Sequence, residues 1–280
     1  MLLLKLLLVL TFSTTLIAQE DHQFIKCSTR PCERASKGKP SPRIAALLVG
    51  KEEAASTSTN WSGYVAGLNL SGKPVANSVT YVAGSWIVPN LQASAVDTSC
   101  SVWVGIDGYG SPSVEQLGTE HDVKGGVVSH YAWYEMFPLP SQLLEGFPVA
   151  SGDQISASVI YIPLSGVLQP NSDLFILQIF NNTQRLYTSI PYITVSHMQR
   201  VCAEWIVEAP WLNVTLPLSH FSPISVFNCS CTVNGVSGSI SNPAWSNVSL
   251  NMVDSSGQVK AVTSALSADG KSFSVSWQHN

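Results

Sequence analysis

Eight stretches of this chain are rich in β-branched and aromatic residues and are separated by turn clusters, and no window shows sustained helical periodicity with caps. They are Val79 to Val88, Val102 to Ile106, Val127 to Phe137, Gln154 to Ile162, Leu174 to Phe180, Val201 to Glu208, Ser246 to Val253 and Ser272 to Trp277. Between them fall Ser151-Gly152-Asp153, Asn181-Asn182, Asn234-Gly235 and Asp254-Ser255-Ser256-Gly257. A chain so patterned lacks the helices that parallel crossovers need, so its strands must pair antiparallel and bury one sheet face on another. The pattern predicts an all-β fold, an antiparallel β-sandwich, with a barrel as the alternative that propensity alone leaves open.

The two ends of the sequence differ in character. Residues 1–18 carry Lys5, an apolar stretch from Leu6 to Ile17 and the small Ala18, which reads as a secretory signal peptide too short to span a membrane. Residues 19–56 hold seven Lys and Arg against five Asp and Glu, a net of +2, whereas residues 57–280 hold six against thirteen, a net of −7. The basic segment reads as a propeptide, with a disordered linker as the alternative; both place it outside the fold. Residues 57–280 are long enough for one domain with a sizeable core. They have no basic cluster, which argues against nucleic acid as a partner, and no apolar run long enough for a membrane span. The mature protein is expected to be secreted and monomeric, with its own propeptide as one partner.

Secretion implies an oxidising destination, so Cys100, Cys202, Cys229 and Cys231 are expected to form disulfides, while Cys27 and Cys32 lie in the leader. Metal binding by the Cys229-x-Cys231 pair lacks the further Cys or His that a zinc set needs. Six Asn-x-Ser/Thr sequons, at Asn60, Asn69, Asn181, Asn213, Asn228 and Asn247, fit a glycoprotein.

Chemistry is concentrated where polar groups interrupt apolar strands. In Ala203-Glu204-Trp205-Ile206-Val207-Glu208 the two carboxylates share one face of a strand. In Trp103-Val104-Gly105-Ile106-Asp107-Gly108, Trp103 and Asp107 share a face if the strand continues; in Tyr131-Ala132-Trp133-Tyr134-Glu135, so do Tyr131, Trp133 and Glu135. Between them lies Glu115-Gln116-Leu117-Gly118-Thr119-Glu120. Side by side, these segments would make an aromatic-walled surface bearing Asp107, Gln116, Glu135 and Glu208, the composition of a substrate site.

Together these motifs resemble the glutamic peptidase (eqolisin) family, and they occur in family order. Asn60-Trp61-Ser62-Gly63 and Gly84-Ser85-Trp86-Ile87-Val88-Pro89 are similar to the family's opening strands. Trp103 to Gly108, Ala132 to Glu135 and Ala203 to Glu208 match in full, and Gln116-Leu117-Gly118 falls where the family has Gln-Thr-Gly. The resemblance implies a sandwich of two large sheets, jelly-roll or concanavalin-like, and a secreted acid endopeptidase acting on polypeptides without metal or other cofactor. It makes Gln116 and Glu208 the catalytic dyad, with Trp103, Asp107, Glu120, Trp133 and Glu135 lining or supporting the site. Glu204 is left as a supporting or solvated neighbour. Departures from the family are Glu115 in place of an aliphatic residue, Glu120 for the usual Asp, and Met136-Phe137-Pro138-Leu139 for a more polar run. Two readings compete: a retaining glycosidase using Glu135 and Glu208, and a lectin-like binding module on the same fold. No Asp-Thr/Ser-Gly pair, Gly-x-Ser-x-Gly elbow or His-Glu-x-x-His helix supports another peptidase class.

Overall fold

The computed structural model describes residues 22–31, 56–164, 172–211 and 215–280. The expected signal peptide, most of the expected propeptide with Cys32, and the sequon residue Asn213 lie outside the described residues. The strands in chain order are β1 Gln23–Phe24, β2 Ser28–Pro31, β3 Ser56–Ser58, β4 Trp61–Leu68, β5 Val79–Ile87, β6 Thr98–Asp107, β7 Val114–Lys124, β8 Val127–Phe137 and β9 Gln142–Glu145. They continue with β10 Gln154–Ile162, β11 Leu174–Asn181, β12 Leu186–Ile193, β13 Ala203–Glu208, β14 Ile224–Val233, β15 Val236–Gly238, β16 Ser246–Val253, β17 Val259–Thr263 and β18 Phe273–Trp277.

Two layers result. The front layer runs β16–β4–β13–β6–β7–β8–β9 and the back layer β12–β11–β10–β5–β14–β18; β17 pairs with both β16 and β18 and joins them. The pairings are antiparallel except for two short peripheral ones, β1 with β12 and β3 with β16. Val102, Val104, Leu117, Ala132, Trp205 and Val207 of the front layer pack against Trp86, Val82, Ile155, Val159, Phe175 and Leu177 of the back. The outer face of the front layer is also apolar, with Trp61, Val65, Trp103, Trp133, Ile206 and Leu250 in a second cluster. Strands β4 and β6 are therefore buried along their whole length. Trp205 fastens β13 to the back layer: its Nε1 donates to Ala83 O at 2.7 Å, and its ring occupies the space a side chain at Gly84 would need, 2.7 Å from where a Cβ would stand.

A chain of hydrogen bonds also ties the β7–β8 hairpin to the back layer. Trp86 Nε1 donates to Thr119 Oγ1 (2.9 Å), which lies 3.0 Å from His121 Nε2; His121 Nδ1 is 2.9 Å from His130 Nδ1, and His130 Nε2 is 3.0 Å from Ser151 Oγ, which donates to Pro89 O (3.1 Å). One end and the neutrality of two buried rings set the polarity: Ser151 donates to the Pro89 carbonyl, so His130 Nε2 must donate to Ser151. Each neutral ring accepts at its other nitrogen, so a consistent arrangement has His121 donating to His130 and Thr119 to His121. Burial holds the His121 imidazolium far below its ordinary range, with His130 adding repulsion, and His130 itself is lowered by burial against the opposing pull of Asp122 and Asp153.

All eight expected strands are present, with ends shifted by a few residues in some. Strands β3, β4, β7, β9, β12, β14, β15 and β17 add to them, besides the two in the leader. Contrary to the expectation that residues 19–56 lie outside the fold, residues 22–31 contribute β1 and β2. Nor are the mature cysteines paired: Cys100, Cys202, Cys229 and Cys231 are free thiols, as is Cys27 of the leader. Cys100, Cys229 and Cys231 belong to the inter-layer core and Cys202 to the opposite face of the front layer, so the sheet itself separates Cys202 from the others.

The histidine chain gives a sign for acid stability. His121 has a depressed folded pKa, so its contribution is present above its ordinary 6.5 and is lost as pH falls through the folded value. Thermal unfolding of His121→Phe/His130→Phe should show lower stability than wild type at pH 7, by about 1–3 kcal/mol for stranded partners. The gap should narrow toward pH 4.

Candidate active site

The register of the front layer sets three rows of residues across its outer face. Glu208 lies opposite Ser101, Ser101 opposite Glu120, and Glu120 opposite Tyr131; the next row holds Ile206, Trp103, Gly118 and Trp133; the third holds Glu204, Gly105, Gln116 and Glu135. Six of the seven expected site residues (Gln116, Glu208, Trp103, Glu120, Trp133 and Glu135) thus share one face. Trp103 is wedged between rows: its ring meets Trp61 edge-on at 5.2 Å, and only a residue without a Cβ fits at Gly105, where one would stand 2.9 Å from Trp103 Cζ3.

Glu208 is half-buried, and both its oxygens accept from neutral donors: Oε2 from Trp103 Nε1 at 2.9 Å and Oε1 from Asn60 Nδ2 at 3.3 Å. Hydrogen bonds to the charged form favour it, so the pair of donors suits a carboxylate that works ionised. Gln116 is 6% exposed; its Nε2 donates to Glu135 Oε2 at 2.7 Å while Oε1 has no hydrogen-bond partner. Accepting at Nε2, Glu135 fixes which end of the amide faces which way. Glu120 Oε2 accepts from Ser101 Oγ at 2.6 Å, directly between Glu120 and Glu208.

The structure corrects the reading of two acids. Asp107 leaves the face because its φ of 72° breaks the alternation at the end of β6. Its carboxylate instead accepts from Val201 N (2.7 Å) and Arg200 N (2.8 Å), tying the end of β6 to the approach to β13. It supports the site from beneath and does not line it. Glu204 is not solvated but completely buried, with Oε1 accepting from Tyr109 N at 2.8 Å and close to Cys202 Sγ at 3.4 Å. Burial raises its pKa well above the ordinary carboxyl range, and the charges of Asp107 and Glu208 add to that.

Asn60 is the residue that sequence reasoning missed. It was read as a glycosylation sequon, yet its amide is 5% exposed and is spent on Glu208. Its own Oδ1 lies 3.3 Å from Ser58 Oγ, and its carbonyl accepts from Ala209 N, so the turn before β4 is bound to the end of β13. The available signal was the sequon's position inside Asn60-Trp61-Ser62-Gly63, a motif of the site. Asn181 is likewise buried, its Nδ2 donating to Pro148 O and Asp153 Oδ2, so a glycan fits neither place.

Glu115 points the other way from Gln116, into the interior between Ile106 and Met136, and is completely buried. Burial lifts its pKa well above the ordinary 4.5, and the charge of adjacent Asp107 lifts it further. Because the folded value is the higher one, this group's contribution is complete below about pH 4.5 and is lost as pH rises through the folded pKa. Glu115→Gln should flatten that loss. Denaturant unfolding at pH 4 and pH 8 should show the variant gaining on wild type by about 1.4 kcal/mol for each pH unit by which the folded pKa exceeds the unfolded one within that span.

Among the described residues no group of three or more His, Cys, Asp or Glu is placed to hold a metal ion. A comparison with curated protein sequences gives no match. Among solved structures the chain is similar to scytalido-glutamic peptidase with a transition state analog inhibitor, at 21% identity and a TM-score of 0.62 over 79% of this chain and 98% of that one. It is also similar to SCP-B, a member of the eqolisin family of peptidases in complex with the tripeptide Ala-Ile-His (20%, TM-score 0.58, 79% and 98%). Aspergilloglutamic peptidase from Aspergillus niger follows (22%, TM-score 0.51, 65% and 99%). These likenesses are of fold. The sequence itself matches the Peptidase A4 family over residues 59–277, a span that takes in the whole front layer with its rows of acids, amide and tryptophans, and the chain belongs to that family of glutamic-type endopeptidases.

Proposed function

We propose that this peptidase is a secreted acid endopeptidase in which Glu208 and Gln116 are the catalytic dyad. The observation that carries the reading is a contrast of exposure. Of the carboxyls set on the front face, Glu204, Glu120 and Glu135 are at most 2% exposed, while Glu208 is only half-buried and keeps both oxygens aimed by Asn60 and Trp103. A general base must reach a water; Glu208 is the carboxylate so placed.

In this reading Glu208 takes a proton from a water as the water oxygen attacks the scissile carbonyl carbon. Gln116 holds that water through Oε1 and presents to the developing oxyanion the Nε2 hydrogen not given to Glu135. The proton then passes from Glu208 to the amide nitrogen as the C–N bond breaks. Glu135 acts on Gln116 by orienting its amide, and Asn60 and Trp103 act on Glu208 in the same way. The glycosidase alternative loses its second carboxylate, because Glu135 stands on β8, one strand farther from Glu208 than Gln116, and is engaged by the Gln116 amide. Signal peptide 1–18 supports export, and the basic stretch within 19–56 supports synthesis as a precursor.

Digestion of an unfolded protein between pH 2 and pH 7 tests this. Wild type should cleave it on the acid side, Glu208→Gln should not cleave at any pH, and Gln116→Ala should lose about 10²–10³ in turnover. Asn60→Ala, which removes a donor to the Glu208 carboxylate, should keep part of the activity and move the acid limb of the profile to higher pH. Full activity in Glu208→Gln would remove the assignment.

A further inference from the structure

The match to the family begins at residue 59, yet residues 22–31 are built into this fold. They bridge the open side of the sandwich from one layer to the other. Strand β1 runs along the back-layer edge β12, with Gln23 N donating to Arg185 O and Ile25 N to Tyr187 O, both at 2.8 Å. Four residues later β2 runs antiparallel to the front-layer edge β9, from Ser28 opposite Glu145 to Pro31 opposite Gln142. Without this segment both strands would present unpaired backbone edges, which proteins rarely leave open.

Side chains add to the ladders. Phe24 meets Tyr187 edge-on at 5.3 Å and His22 meets Phe180 at 5.7 Å, with His22 Nε2 3.2 Å from Asn182 Oδ1. Cys27 packs against the rim of the inter-layer core, and Ser28 Oγ donates to Glu145 Oε2 at 2.8 Å. Charge contributes one exposed pair, Arg30 with Glu145, which is worth little in water. Strand β2 lies outside β9, itself outside the β8 that carries Glu135, so the segment covers neither Gln116 nor Glu208.

We propose that residues 22–31 are a strand clasp for the two sheet edges, held by backbone pairing and apolar contact, which stays on the domain after the chain is cut between residues 32 and 55. The β9 and β12 edges are thus a binding surface for one extended peptide, supplied by the chain's own leader, and the processed enzyme is two chains without a covalent link. This differs from a leader held by charge and shed on acidification. The clasp rests on backbone pairing and the cut on the precursor reading of residues 19–56; both are independent of the catalytic assignment, because the cut can be made by another enzyme.

A recognition site for a sequence-specific protease, placed between residues 32 and 55 of the full chain, supplies the test. After cutting, native size-exclusion and mass measurement should find the N-terminal fragment with the domain at both pH 7 and pH 3, and Arg30→Ala should leave it there. Ile25→Pro, which removes the donor to Tyr187 O, combined with Phe24→Asp should release it. Cleavage of a short peptide substrate should proceed at the same rate with the fragment bound or gone. Loss of the fragment on cutting, its release by Arg30→Ala alone or by acid, or a rise in activity on its departure would each overturn the clasp.

Discussion

Among the described residues, neutral donors hold most of the carboxyl groups that the front layer buries. Asp107 is held by two backbone N–H groups, Glu204 by another, Glu120 by a serine hydroxyl, Glu135 by the Gln116 amide, and Glu208 by an asparagine and an indole. A buried carboxylate costs several kcal/mol unless it is compensated, and an ion pair would compensate it by fixing it as an anion. Neutral donors compensate less and leave the group able to hold or release a proton. A face built this way suits acid-base work by one of its members, and burial lifts its neighbour Glu204 well above the ordinary carboxyl range.

The same constraint reaches the fold through two of the contacts that join the layers. Trp205 joins them by packing and one hydrogen bond to a carbonyl, which pH does not touch. The Trp86–Thr119–His121–His130–Ser151 chain joins them through two rings that must be neutral. Acid opposes that joint, while alkali opposes the protonated forms of Glu115 beneath the site and Glu204 on its face. Stability is therefore bounded from both sides by groups on neighbouring strands: Glu115 and His121 lie on β7 itself, one flanking Gln116 and the other Glu120. The strand carrying the amide of the proposed dyad is the one most exposed to pH from either direction.

How much of this could be read in the sequence followed from how each strand is buried. Val127 to Phe137 and Gln154 to Ile162 were legible in full, because β-branched and aromatic residues run through them. β7 was not. Its sequence Val-Glu-Gln-Leu-Gly-Thr-Glu-His-Asp-Val-Lys puts polar groups on both faces, because one face bears the site and the other the histidine chain and Glu115. The carboxylates and tryptophans of the site were visible because they interrupt apolar runs. Asn60 was hidden, since an asparagine two places before a serine satisfies a more familiar motif. Asp107 was placed on the wrong face because a left-handed φ at one residue, which no periodicity records, turned its side chain aside. Glu204 seemed solvated because one-sided sheets usually are; here the second face is as apolar as the first.

That second apolar face also explains why a leader can serve as a structural part. A sheet buried on both faces has only its edges left to meet water, and an edge is stabilised by pairing whatever the charge of the strand that pairs with it. The basic character of residues 19–56 drew attention to electrostatics, yet within 22–31 it amounts to Lys26 and Arg30, and among the described residues only Arg30 pairs with an acid, at the surface. Backbone hydrogen bonds do not titrate over the pH range in which carboxylates do. A segment attached through them is retained under the conditions that neutralise the acidic domain. Any pH-released inhibition must then reside in other residues of the leader, leaving these ten to hold the sandwich closed.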